Sequence, residues 1–367
     1  MAWAKTVPRG ARYDLTASGV PDTLGEGANG IGADSWADDL AVADLCRRDK
    51  ADAAGDAFVA ALAQRYDVEP ACITPTIAAS TAIMHVLMAL VRSGDHVVVE
   101  RPTYEPLRRT PEILGARVSR LERKFEESWA VVPERLAQLL TPRTRAVILS
   151  NLHNPSGVAI DAKTMLAICE LASRVGAVVL VDEVYLDYCF SIAPDAAYLP
   201  VCRVAKNGVS WSSTTKCMGF SALRAGWIVT QDPDVARAIR AATDYLHVYP
   251  PIATARLATR VLGHAEALAE RAQVTSLAGR RVVERWLSAE NRVSWVAPAA
   301  GITGVLKLPA FMQDGVLCEH LRQRYETQVV PGSMFEAPGF VRMSFGVPPD
   351  QLEQALANIT AALDDLV

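Results

Sequence analysis

The chain has 367 residues, half of them hydrophobic and 21% charged, with a formal net charge of −4. These values suit a globular protein with room for two cores, and they exclude a disordered or collagen-like chain. No lysine–arginine block stands out, so neither a nucleic-acid face nor a polybasic membrane anchor is expected.

Met1-Ala2-Trp3-Ala4-Lys5 is not followed by an apolar stretch, so no secretory leader is expected. Residues 24–38 are glycine-rich and polar around Trp36, which predicts a loop. The longest apolar stretch, 82–91, contains His85 and is too short to span a bilayer; it belongs to a helix predicted over 80–92. After the turn Ser93-Gly94-Asp95 comes a strand over 96–100, then strands over 145–150 and 176–182 with a helix over 162–174 between them. Strands over 209–212 and 225–230 and a helix over 233–245 complete the set. β-Branched runs spaced by helices predict an α/β domain with a largely parallel sheet covered on both faces. Residues 253–290, rich in Ala, Leu, Arg and Glu, read as helical and lead to a smaller domain. Its strands are expected at 293–296, 304–308, 328–330 and 340–345, its helices at 315–325 and 349–366. The seven cysteines are scattered, odd in number and without a C-x-x-C pair, which reads as reduced thiols of a cytoplasmic protein. None of the six histidines has metal-ligand spacing, so no metal is expected.

Ligands in such sheets bind beyond the carboxyl ends of the strands, and the polar motifs fall there. They are Asn151-Leu152-His153-Asn154-Pro155-Ser156-Gly157, Asp182-Glu183-Val184-Tyr185, and Ser213-Thr214-Thr215-Lys216 with Arg224 eight residues on; Arg342 stands in Phe340-Val341-Arg342-Met343-Ser344-Phe345. Singly, each has a plain reading: a surface lysine, a solvated strand end, a turn, a salt-bridged arginine. Jointly they suit one chemistry. A lysine holds an aldehyde cofactor as an imine, and an aspartate keeps a pyridine nitrogen protonated. Asparagine and tyrosine bind a phenolate oxygen, serine and arginine hold a phosphate, and a last arginine takes an amino-acid carboxylate.

In this order the motifs resemble the fold-type I pyridoxal-phosphate (PLP) aminotransferases, the class I/II branch of the aspartate aminotransferase superfamily, from about Leu15 to the C-terminal helix. The resemblance implies a large domain with a mostly parallel sheet between helices plus a smaller α+β domain. It divides the chain into an N-terminal segment (1–45) packing with the small domain, a large cofactor-binding domain (46–275) and a small domain (276–367). It implies that Lys216 carries PLP as an aldimine and, once freed, moves the proton between Cα and the cofactor. Asp182 would pair with the pyridinium nitrogen, and Tyr185 and Asn154 with the ring oxygen. Tyr104 would stack on the ring face. Arg224 and Ser213 would bind the phosphate, joined by Ala79 and Ser80 at a helix start. Arg342, with Asn154 beside it, would grip the substrate α-carboxylate, and Gly19 would let backbone approach the substrate. His153 is expected to pack against the asparagine loop without a catalytic role. The chain departs from the family twice. Ala78 stands where glycine is frequent, and residues 49–51, where a partner-subunit phosphate tyrosine is frequent, contain none.

The expected function is a PLP-dependent aminotransferase that moves an α-amino group from an L-amino acid to a 2-oxo acid in a ping-pong scheme, as a homodimer with its site at the interface. The alternative is a PLP-dependent cyclase, lyase or decarboxylase of specialised metabolism, because one carbanion can partition to any of these outcomes. Ser18-Gly19-Val20, Asp244-Tyr245-Leu246 and Gly301-Ile302-Thr303 resemble capreomycidine synthase-like enzymes, whereas the intact Asp182-Glu183-Val184-Tyr185 favours the transaminase pattern. An aminotransferase-like regulator would carry a DNA-binding module, and no basic recognition helix is visible. No second arginine for a distal carboxylate stands out. Trp36, Tyr249 and the 24–38 loop are expected to line a side-chain pocket suited to an apolar or aromatic amino acid.

Overall fold

The computed structural model describes residues 10–21, 40–190 and 197–366. Strand β1 (Tyr13–Asp14) and helix α1 (Arg48–Tyr66) precede a seven-stranded sheet. Its strands are β2 (Ile73–Thr76), β3 (His96–Arg101), β4 (Arg117–Glu122), β5 (Thr144–Ser150), β6 (Val178–Asp182), β7 (Gly208–Ser213) and β8 (Gly226–Thr230), in the spatial order β2-β8-β7-β6-β5-β3-β4. β8 runs antiparallel to both neighbours, and the other pairs are parallel.

The central strands are apolar on both faces because both faces are covered. Val97, Val99, Ile148 and Leu180 pack under α2 (Ala78–Leu90) and α3 (Glu105–Ile113). Val98, Val147, Leu149, Val179 and Val181 point the other way, toward α4 (Pro133–Leu139) and α5 (Ala162–Ser173). Helix α5 starts where Asp161 accepts the Thr164 amide, and α6 (Pro233–Thr243) starts at Pro233 with Asp232 accepting two amides. Two strands of the sheet were not legible in the sequence. β2 is a four-residue edge strand interrupted by Pro75, and β4 is a charged edge strand in which Leu121 alone is buried. The helical stretch expected over 253–290 is two helices, α7 (Ile252–Gly263) and α8 (Ala265–Leu287), parted at Gly263-His264.

Beyond α8 lies an antiparallel sheet in the order β12-β13-β10-β9, from β9 (Ser294–Trp295), β10 (Thr303–Lys307), β12 (Val330–Pro331) and β13 (Phe340–Ser344). The strand expected at 328–330 is divided: β11 (Thr327–Gln328) pairs in parallel with β1, and β12 joins the four-stranded sheet. Leu306, Val341 and Met343 meet Leu352, Leu356 and Ile359 of α10 (Pro349–Asp365) and Leu317 of α9 (Asp314–Tyr325) in one core, and Leu15 inserts among them. The expected boundary at 275/276 falls within α8, which packs against both α10 and the cluster around Tyr185. No helix among the described residues is long and apolar enough to cross a membrane.

Candidate active site

Parallel strands leave their carboxyl ends on one edge, and here β5, β6 and β7 end there on Ser150, Asp182 and Ser213. Register places Ser150 beside Asp182, and Asp182 beside Trp211. A cavity of about 640 Å³ opens at this edge. Asp182 and Tyr185 line it from the β6 end, Asn154 from the β5 loop, and Ser213, Lys216 and Arg224 from the segment between β7 and β8. Ala79 and Ser80 reach it from the first turn of α2, Tyr104 from the residue capping α3, and Arg342 from β13 of the smaller sheet. Among the described residues, the cavity wall thus gathers every one that the sequence singled out for the site except Gly19 and Tyr249. Gly19 packs on the backbone of Thr215 and Lys216, where a Cβ would come within 3.3 Å of the Thr215 carbonyl. Tyr249 is 55% exposed and does not line the cavity; Trp36 and the rest of 24–38 lie outside the described residues.

One set of lining residues suits an anion. The first amides of α2 have no partner within the helix and carry its positive dipole end. Arg224 and Ser213 face the same space. Ala78, which opens the helix, has φ +67°, a conformation glycine adopts without penalty; this explains the family's usual residue at that position. A second set is a cationic clamp. Arg342 is buried and lies over the Phe335 ring at 4.9 Å. Its Nη1 donates to Asn154 Oδ1 at 3.2 Å and its Nη2 to the Thr16 carbonyl at 2.9 Å, while Nε is buried without a partner. An unmatched guanidinium donor in a cavity is a place for an incoming carboxylate.

Among these lining residues, burial dominates the electrostatics. It pushes the Asp182 carboxyl up to about 6, and the Tyr185 and Tyr104 phenols up to about 12. It lowers the Lys216 ammonium to about 8, with the Arg342 cation adding to the fall. Lys216 Nζ donates to Ser18 Oγ at 2.9 Å. An amine so lowered is partly neutral near pH 7–8, as a nucleophile or proton carrier needs to be.

A buried polar network holds the Asn154 loop. Glu100 accepts the amide and the hydroxyl of Ser150, at 2.7 and 2.5 Å, and pairs with Arg123 at 2.8 Å. Ser150 Oγ in turn accepts the Asn154 amide at 3.1 Å. His153 is buried, its basicity far below the ordinary imidazole range, so it is neutral: Nε2 donates to the Pro102 carbonyl at 2.9 Å and Nδ1 accepts from Ser156 at 2.6 Å. It is a structural histidine of that loop. Ser18, Thr16, Phe335 and the Glu100–Arg123 pair escaped sequence reasoning, because a lone serine before a glycine, or an ion pair formed across strands, has no periodic signature.

Capreomycidine synthase of Streptomyces vinaceus is 29% identical over 306 residues, covering 83% of this chain and 78% of its own. The arginine–pyruvate transaminase of Pseudomonas aeruginosa is 26% identical over 298 residues, covering 79% and 74%. A PLP-dependent aminotransferase from Streptococcus suis superposes with a TM-score of 0.87 at 26% identity, covering 100% of this chain and 97% of the other. The sequence profile of the aminotransferase class I and II family matches residues 55–359, and the chain belongs to that family.

Proposed function

We propose that the chain is a PLP-dependent aminotransferase that transfers an α-amino group from an L-amino acid to a 2-oxo acid in two alternating half-reactions. The observation that carries this is the shared cavity: Lys216 and Asp182 line it together with an anion cradle and an arginine clamp with an unmatched donor. The residues fit the cofactor on that geometry and on the donor set. Arg224, Ser213 and the amides of Ala79 and Ser80 would hold its phosphate, Asp182 its ring nitrogen, and Asn154 and Tyr185 its ring oxygen. Tyr104 would cover a ring face.

When bound, PLP supplies the electron sink for the pair left at Cα. The protein supplies position and protons. Asp182 keeps a positive ring nitrogen favourable, since a buried carboxylate gains most from a cation at its oxygen. Arg342 turns the α-carboxylate so that Cα faces Lys216. Lys216 would take the Cα proton as a base and return it, as an acid, to the carbon on the other side of the amino nitrogen, two atoms away. Among the described lining residues the cations are Lys216, Arg224 and Arg342, so a distal carboxylate finds no further arginine. A homodimer and a cytoplasmic location belong to the same reading.

The 29% identity to a capreomycidine synthase supports a second reading, a PLP-dependent cyclase, lyase or decarboxylase. One experiment separates them: the visible spectrum of the reconstituted protein before and after single L-amino acids without an oxo acid. The panel includes arginine, because Asp14 and Glu105 line the same cavity and one relative is an arginine–pyruvate transaminase. Under the aminotransferase reading one amino acid bleaches the cofactor band and yields its 2-oxo acid in a single equivalent, and Lys216→Ala abolishes both. Multiple turnovers without an acceptor, with ammonia, carbon dioxide or a cyclic product, would establish the second reading instead.

A further inference from the structure

The hydroxyl that accepts from the Lys216 amine belongs to a residue with no part in the scheme above. Lys216 Nζ donates to Ser18 Oγ at 2.9 Å, and the same hydroxyl meets the Tyr185 phenol. A serine oxygen has one proton to give and two lone pairs, so it can accept from the amine and donate to the phenol together.

Ser18 is fixed in place by a strap clamped on both sides of the cavity. On the side of the smaller sheet the Leu15 amide donates to the Gln328 carbonyl at 2.9 Å, and the Leu15 carbonyl accepts the Ser344 amide at 2.7 Å. On the other side the Val20 amide donates to the carbonyl of Lys216 itself at 3.0 Å. Gly19 allows that approach, since a Cβ there would stand 3.4 Å from Lys216 Cα. Two anchors this close in sequence leave Ser18 little freedom, whereas the lysine stem it meets has many rotamers.

We infer that Ser18 is a positioning residue for Lys216: its hydroxyl holds the free amine at one place in the cavity wall, ready to take the Cα proton. This rests on the reading of Lys216 as the proton-moving amine. Misplacing a catalytic group by an ångström slows its step by up to about 100-fold, so loss of the hydroxyl should slow proton transfer while leaving the Arg342 clamp intact.

The test uses Ser18→Ala and Ser18→Thr, both checked for folding by circular dichroism. In the cofactor-free full chain, Lys216 is acetylated with limiting acetic anhydride across pH and the modified peptide is quantified by mass spectrometry. The groups acting on the amine, namely Arg342, Asp182, Arg224 and Cys217, are the same in all variants, as is Tyr185, which meets the Ser18 hydroxyl. An acceptor favours the charged amine, so Ser18→Ala should shift the labelling midpoint to lower pH and Ser18→Thr should restore it. In the holoenzyme, Ser18→Ala should lower the single-turnover rate about 10- to 100-fold. It should also enlarge the Cα-deuterium isotope effect and leave half-saturation by the amino acid unchanged. An unmoved midpoint with an unchanged isotope effect would overturn the assignment. A midpoint that moves while the unaltered holoenzyme converts no amino acid supports Ser18 and overturns the aminotransferase reading alone.

Discussion

Asp182 is held against its own preference. Burial moves its carboxyl from 3.8 to about 6, so the folded chain resists ionising it. An acid whose value is raised on folding weakens the fold wherever it must be charged. The penalty is absent below the unfolded value, grows as pH rises through the interval and is complete above about pH 6. Removing the charge should therefore stabilise the cofactor-free protein. Asp182→Asn is expected to gain roughly 2–3 kcal/mol in urea unfolding at pH 8 and almost nothing below pH 4, while turnover collapses. Equal stability changes at both pH values would show that the carboxylate is not what the fold resists. The same residue marks what a sequence tells at this scale. Asp182, Tyr185, Lys216, Arg224 and Arg342, which line one cavity, could be singled out because one chemistry constrains their types and order. Ser18 and Glu100 could not be, because their neighbours lie far away in sequence: the Ser18 hydroxyl meets Lys216, and Glu100 meets Ser150.

At the scale of elements, burial decided which segments could be read. The strands ending on Ser150, Asp182 and Ser213 are covered on both faces and show as apolar runs, whereas β2 and β4 lie at the two edges of the sheet and keep polar residues and a proline. The join of α8 to the smaller sheet left no periodic trace either. It depends on Gly279, where an added Cβ would fall 1.8 Å from the Phe345 carbonyl. Alanine there improves helix propensity by about 1 kcal/mol. The clash is with backbone, however, and overpacking of this kind costs about 1–3 kcal/mol or more. Gly279→Ala should therefore lower the melting temperature. It should also raise half-saturation by the amino acid, because Phe345 continues the strand that carries Arg342. A higher melting temperature would mean that propensity outweighs packing and that the helix can move away freely.

For the whole molecule, the question is what covers the segment after α6. Tyr245 is 85% exposed, and Leu246, Val248 and Tyr249 beside it are exposed too. Exposed apolar side chains grouped in one segment suit contact with a partner, and a second copy is the partner that the homodimer reading requires. Val248 also holds φ +58°, a conformation that a β-branched residue adopts only when its surroundings impose it. The patch is not remote from the cavity. His247, within it, meets His85 of α2 edge to face with ring centroids 5.0 Å apart and Nδ1 3.3 Å from His85 Nε2. The first turn of that helix presents Ala79 and Ser80 to the cavity. Covering the patch should therefore steady the anion cradle, and exposing it should loosen the cradle. Tyr245→Asp combined with Val248→Asp is expected to convert a sedimenting dimer into a monomer and to weaken PLP retention on dialysis by about 10-fold, the equivalent of 1.4 kcal/mol. Phosphate competition for the cradle should weaken in parallel, since both anions use the α2 amides. A protein that sediments as a monomer before any substitution would remove the second copy from the argument. A monomeric variant with undiminished PLP retention would show instead that α2 is held by its own chain, through packing on the sheet alone.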